Sequence, residues 1–153
     1  SGPEKPLYAA SDTVGDDETF SIAGTIQAPT LVELVIQAES AERISGLKQK
    51  DTMLDSIRDG HWAEFDRSIK PNGEVQATIR YSAFSAGSTI KLLADGELLT
   101  SWTTQATGGW TTFVEQQVSF TPPNNQYDTL RLQFETDQTF CCNRDWVKLK
   151  YLF

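Results

Sequence analysis

The chain has 153 residues, 39% of them hydrophobic and 22% charged, the size and balance of one globular domain with its own core. Its formal charge of −8, from 13 basic against 21 acidic residues, excludes a nucleic-acid binder, which needs a surplus of Lys and Arg to neutralise phosphates. No apolar run approaches the roughly 20 residues of a membrane-spanning helix, and the polar start SGPEKP carries no signal peptide, so an export signal would lie outside this chain.

Residues 1–30 are rich in Pro, Gly, Asp, Ser and Thr and read as a linker or irregular lead-in, with one added strand expected at TFSIAGTIQ (19–27). From there the pattern becomes that of a β domain over residues 31–153. VELVIQAES (32–40) alternates and carries β-branched residues. The stretch Thr52–Arg58 is the one helix candidate. Asp59-Gly60 is a turn signal before HWAEFD (61–66). In EVQATIRYSAF (74–84), Val75, Ala77, Ile79 and Tyr81 share one face and Gln76, Thr78 and Arg80 the other, the period-two signature of a half-buried strand. STIKLLAD (88–95) and ELLTSWTT (97–104) flank Asp95-Gly96 and predict a tight hairpin. Strands follow at 112–120, 128–136 and 145–153, the last with Trp146, Lys148 and Lys150 opposite Val147, Leu149, Tyr151 and Phe153. About nine short strands without a long helix predict an all-β fold, an antiparallel β-sandwich.

The chemistry-bearing residues gather late in the chain. Trp110 follows Gly108 and Gly109 in a predicted loop, and Asn143 and Trp146 lie in the run CCNRDW. An exposed indole packs on the apolar face of a pyranose while a carboxamide both donates to and accepts from its hydroxyls, so Trp110 and Asn143 are candidate sugar contacts. An acidic surface suits a neutral polysaccharide, or a site with calcium in it. Trp146 and Trp102 read as core residues, Trp62 as core or as a sugar contact on a sheet face, His61 as an exposed strand residue, and Tyr81 and Tyr151 as interior. Cys141 and Cys142 are adjacent and cannot staple distant segments; they are either two thiols or a vicinal disulfide that needs an oxidising compartment. With one histidine they make no four-ligand zinc site. No nucleophile elbow, phosphate loop or His-Glu-x-x-His motif is present, so the expectation is a binder rather than an enzyme. A pair of carboxylates, the minimum for a glycosidase, remains formally open.

Five landmarks in order resemble the family 6 carbohydrate-binding modules over about residues 34–153: Gln37-Ala38-Glu39, IRDGHWAEF (57–65), IRYSA (79–83), Thr107 to Trp110, and Asn143-Arg144-Asp145-Trp146. The resemblance implies a β-jelly roll and a sugar site in the loops at one sandwich edge, with Trp110 as stacking platform and Asn143 as hydrogen-bonding partner. It implies a structural calcium under Gln37, Glu39 and Asp145, with Gln37 standing where an acid is often found. Ser56 stands where relatives place a second aromatic wall, Phe140 is the nearest aromatic to replace it, and Lys50 falls where many relatives place an acidic ligand contact, which would favour a uronic or sulfated sugar. Trp62 corresponds to a second site on the concave face. The implied protein is a secreted or cell-surface monomer, fused to a glycoside hydrolase or polysaccharide lyase that it anchors to polysaccharide. A cell-surface adhesion or toxin-type lectin domain, and a structural sandwich that has lost its ligand, are the alternatives.

Overall fold

The computed structural model describes residues 30–50 and 53–153, and in them eleven strands form two antiparallel sheets. One sheet runs β3 (Lys48–Gln49), β4 (Leu54–Asp55), β11 (Asn143–Leu152), β6 (Val75–Ser82), β9 (Val114–Phe120), with β1 (Leu31–Ile36) also laid along β11. The other runs β2 (Arg43–Ser45), β5 (Trp62–Phe65), β10 (Leu130–Glu135), β7 (Thr89–Ala94), β8 (Glu97–Thr103). Val75, Ala77, Ile79 and Tyr81 of one sheet and Ile90, Leu92, Leu130, Leu132 and Phe134 of the other fill the space between them, each at most 1% exposed. Alternation along the strands thus decides which face is core.

The hairpin at Asp95-Gly96 forms as its sequence predicts. Both residues take positive φ, 49° and 82°, the backbone that lets a two-residue turn follow the twist of its strands. The Asp95 carboxylate also accepts from the Asp128 and Thr129 amides, tying the turn to the start of β10.

Three expectations are corrected. There is no helix in the described part of Thr52–Arg58: Leu54 and Asp55 form β4, and Ser56 sits at φ 56°, which an α-helix does not accommodate. β2, β3 and β4 were not foreseen, because two or three residues are too short to show alternation. Trp146 is half-buried rather than core; it lies on the same face as Lys148, whose ammonium is 5.2 Å from the ring centroid. Trp102, Tyr81 and Tyr151 are buried as expected, while Phe153 is exposed. His61 is half-buried, its Nδ1 accepting from the Arg58 amide, and it packs so close to Gly46 (φ 87°) that a Cβ there would lie 2.3 Å from the imidazole. The strand expected at 19–27 lies outside the described residues.

The β11–β6 ladder carries a bulge. Arg144 pairs with Tyr81 and Val147 with Ile79, so two residues, Asp145 and Trp146, stand opposite Arg80 alone. Strict alternation would send Arg144 outward with Trp146, Lys148 and Lys150. The extra residue inverts it, and Arg144 points inward.

Candidate functional site

The segment after β8 is shaped around Thr107. Its amide donates to the Ala83 carbonyl (2.9 Å), its Oγ1 accepts from the Ala83 amide (3.1 Å), and the same hydroxyl lies within reach of the Ala83 and Gly109 carbonyls. Gly108 and Gly109 follow at φ 97° and 151°, a backbone open to glycine at little cost. The chain therefore turns sharply and delivers Trp110 to the sandwich edge, 37% exposed.

The Trp110 carbonyl is held twice. Ser82 Oγ donates to it at 2.5 Å and Asn143 Nδ2 at 2.9 Å. Because the partner is a carbonyl, the amide face of Asn143 turned toward it must be the NH2 group. Its Oδ1 is then left to accept from a hydroxyl of something bound above. The two candidate sugar contacts, 33 residues apart in sequence, are thus one hydrogen-bonded unit.

Around this unit lies an open pocket of about 230 Å³ lined by Asp55, Ser56, Trp110, Phe140 and Asn143. Phe140 meets the indole edge-on, with ring centroids 6.5 Å apart and planes at 88°. The Cys141 amide, bonded to the Ile57 carbonyl, holds the Phe140 segment in place, and the Arg58 guanidinium lies 4.8 Å from the centre of the Phe140 ring. Phe84 stacks offset against Trp110, with centroids 6.0 Å apart and planes at 22°. It is 67% exposed and outside the pocket lining, and its ring packs against the indole. Sequence reasoning missed Phe84 as part of the site; its place at the end of the YSAF strand was the available signal.

Of the residues singled out in the sequence, Trp110, Asn143, Ser56 and Phe140 come together in this pocket. Lys50 does not line it. Its ammonium lies 3.9 Å from the Asp55 carboxylate, so the rim has a neutralised pair where a free cation was expected. Trp62 lies elsewhere, on the second sheet, with the Arg131 guanidinium 3.9 Å from its ring centroid. Cys141 and Cys142 are free and buried; burial pushes the Cys142 thiol up, and its neighbour Cys141 adds to that, so it is no nucleophile at neutral pH.

Several of the oxygens expected around calcium already have partners. Asp145 Oδ2 is ion-paired with Arg80 at 2.9 Å. The Glu39 and Ala41 carbonyls receive the Gln49 amide at 2.6 and 3.3 Å, and the Gln37 carbonyl receives Ser40. Among the described residues no three Asp, Glu, His or Cys side chains converge on a point. The buried Arg144 guanidinium lies within the electrostatic reach of both Glu39 and Asp145. Burial pushes its pKa down to about 9, against the opposing pull of Asp145, Cys142 and Glu39, so it stays a cation at neutral pH. Calcium takes six to eight hard oxygens whose negative charge sets its affinity. A donor set with one neutral amide, one carboxylate already paired, and a buried cation beside it does not fit that ion.

A family model described as carbohydrate binding module (family 6) matches residues 37–151. The chain belongs to that family. Family 6 modules are non-catalytic carbohydrate binders, which gives the aromatic pocket its context. The C-terminal family 6 module of a marine laminarinase from Zobellia galactanivorans is 17% identical, with a TM-score of 0.68 over 77% of this chain and 98% of that one. A module of Cellvibrio mixtus lichenase 5A, solved with cellotriose, is 19% identical, with a TM-score of 0.67 over 76% and 95%. A β-1,3-glucan-binding module from Bacillus halodurans is 21% identical, with a TM-score of 0.59 over 78% and 94%. At these identities the likeness is one of fold. No curated protein matches the chain by sequence. Among the described residues no helix is long and apolar enough to cross a membrane.

Proposed function

We propose that this family 6 module grips a neutral polysaccharide at the edge pocket and anchors an attached polysaccharide-degrading enzyme to it, outside the cell. The observation that carries this reading is the double hold on the Trp110 carbonyl, which fixes an exposed indole and a carboxamide oxygen on the rim of one pocket. A pyranose stacked on Trp110 would bring a hydroxyl to Asn143 Oδ1, with Phe140 as the second wall in place of the aromatic that Ser56 lacks. The neutralised Lys50–Asp55 pair and the net charge of −8 favour an uncharged sugar over a uronate or sulfate.

Binding at such a shallow site is weak for each contact, and its value lies in effective concentration: an enzyme tethered to its substrate meets it far more often than a free one. A β-1,3-glucan and cellotriose are the ligands named for two of the similar structures, and they are the first to try. Affinity electrophoresis through gels containing β-1,3-glucan, cellulose derivatives or xylan tests the proposal. Retardation of the wild type but not of Trp110→Ala supports it. Equal retardation of both moves the site away from Trp110, and no retardation on a broad panel overturns the anchor reading.

A further inference from the structure

Asn143 and Arg144 are neighbours at the start of β11, yet the bulge that follows sends one to the rim and the other into the interior. Arg144 is 0% exposed. Its Nη2 donates to the Ile36 carbonyl at 3.3 Å, at the point where β1 ends and the turn carrying Ala38 and Glu39 begins. The guanidinium lies 5.2 Å from the centre of the Phe65 ring, on the opposite sheet. A single buried cation thus ties the end of β1, the start of β11 and the facing sheet together.

Burying a charge is costly unless something compensates it. Here the compensation is the Ile36 carbonyl, the face of an aromatic ring and the nearby carboxylates of Glu39 and Asp145. Its Nε and Nη1 have no acceptor among the described residues. Buried N–H groups without an acceptor seek lone pairs, and a guanidinium held among the oxygens expected to take a metal ion repels that ion. The Gln49 amide acts in the same sense nearby, donating to the Glu39 and Ala41 carbonyls that would otherwise seek a cation.

We propose that the Arg144 guanidinium is the resident internal cation of this module, taking at this end of the sandwich the organising part that the family resemblance assigns to calcium. The module then folds and keeps its shape without calcium. The inference does not depend on which sugar is bound.

Thermal melts of the full chain test it, for the wild type, Arg144→Lys and Arg144→Leu, each in excess EGTA and in millimolar calcium chloride. The wild-type midpoint is expected to be the same in both buffers. In EGTA, Arg144→Lys should melt above Arg144→Leu, because lysine keeps the charge while leucine only fills the space. A simple packing role predicts the opposite order, since an ammonium without partners is the worse occupant of a hydrophobic interior. A wild-type midpoint that climbs with calcium, or a leucine variant as stable as the wild type, overturns the proposal.

Discussion

Two tryptophans, Trp110 exposed and Trp62 half-buried, mark two faces of this molecule, and only one of them is open. At the edge, Trp110 is held through its backbone, so its ring is left uncovered toward the pocket. On the second sheet, Trp62 is held through its ring. Arg131 lies over it, and Arg131 is itself fixed by Glu64, which also pairs with Arg43, which in turn pairs with Asp66. A sugar arriving at Trp62 would have to displace a guanidinium already stacked there, an interaction of ~0.5–1 kcal/mol at an exposed site. How an aromatic is anchored decides whether it can bind.

Substitution at each face breaks this comparison most directly. Trp110→Ala should lose ~1–3 kcal/mol of binding, a fall of roughly fivefold to a hundredfold or more in affinity by isothermal titration. Trp62→Ala should leave affinity for the same oligosaccharide within a factor of about two. Equal losses at both would mean that the sheet face binds despite its arginine. Arg131→Ala sharpens the point: if the guanidinium is the lid, its removal should create a second, weaker site that Trp62→Ala then abolishes.

Next in size is the clamp below the indole. Asn143→Ala removes the bond to the Trp110 carbonyl and the free Oδ1 together, and should cost ~1–2 kcal/mol of binding with a much smaller change in melting temperature. Asn143→Asp separates the two parts. Its carboxylate still accepts from a sugar hydroxyl but repels the Trp110 carbonyl, so an affinity close to that of Asn143→Ala would show that positioning the indole matters more than touching the ligand. Phe84→Ala tests the ring packed against the indole, at ~0.5–1 kcal/mol, near the worth of one aromatic pair.

Most of the sandwich was legible because its long strands alternate. β7 and β10 bury every second residue, as do β6 up to Tyr81 and β11 from Val147 onward, and the Asp95-Gly96 turn could hardly be anything but a hairpin. The pocket was legible in its types rather than its bonds. Two glycines before a tryptophan announce an exposed ring, but that Asn143 holds its carbonyl from 33 residues away is tertiary information. Arg144 was illegible for a physical reason. Local alternation places it outward, and only a bulge, set by register against β6, turns it in. The stretch Thr52–Arg58 gave a misleading helical signal because β4 is only two residues long, too short to show alternation, and the positive φ of Ser56 beside it is not recorded in composition.

The smallest expected effect belongs to the closed face. Its hydrogen bond from Arg43 holds the Glu64 carboxyl below its ordinary range, with burial opposing and Arg131 adding to the shift; Arg43 lowers Asp66 in the same way. Carboxyls depressed in the folded state bind fewer protons than in the unfolded chain. Their contribution to stability is therefore complete above the ordinary carboxylate pKa and is lost as pH falls through the lowered one. Melting temperature followed downward from neutral pH should fall in that acid window, and Arg43→Gln should start slightly lower at neutral pH, fall by correspondingly less, and meet the wild-type curve in acid, the difference being small because exposed pairs are worth little. Sugar binding at Trp110 should not follow that curve, because none of these groups lines its pocket. A binding isotherm that weakened in step with the Arg43 network would mean that the two faces are coupled through the core, and the division between an open and a closed tryptophan would no longer hold.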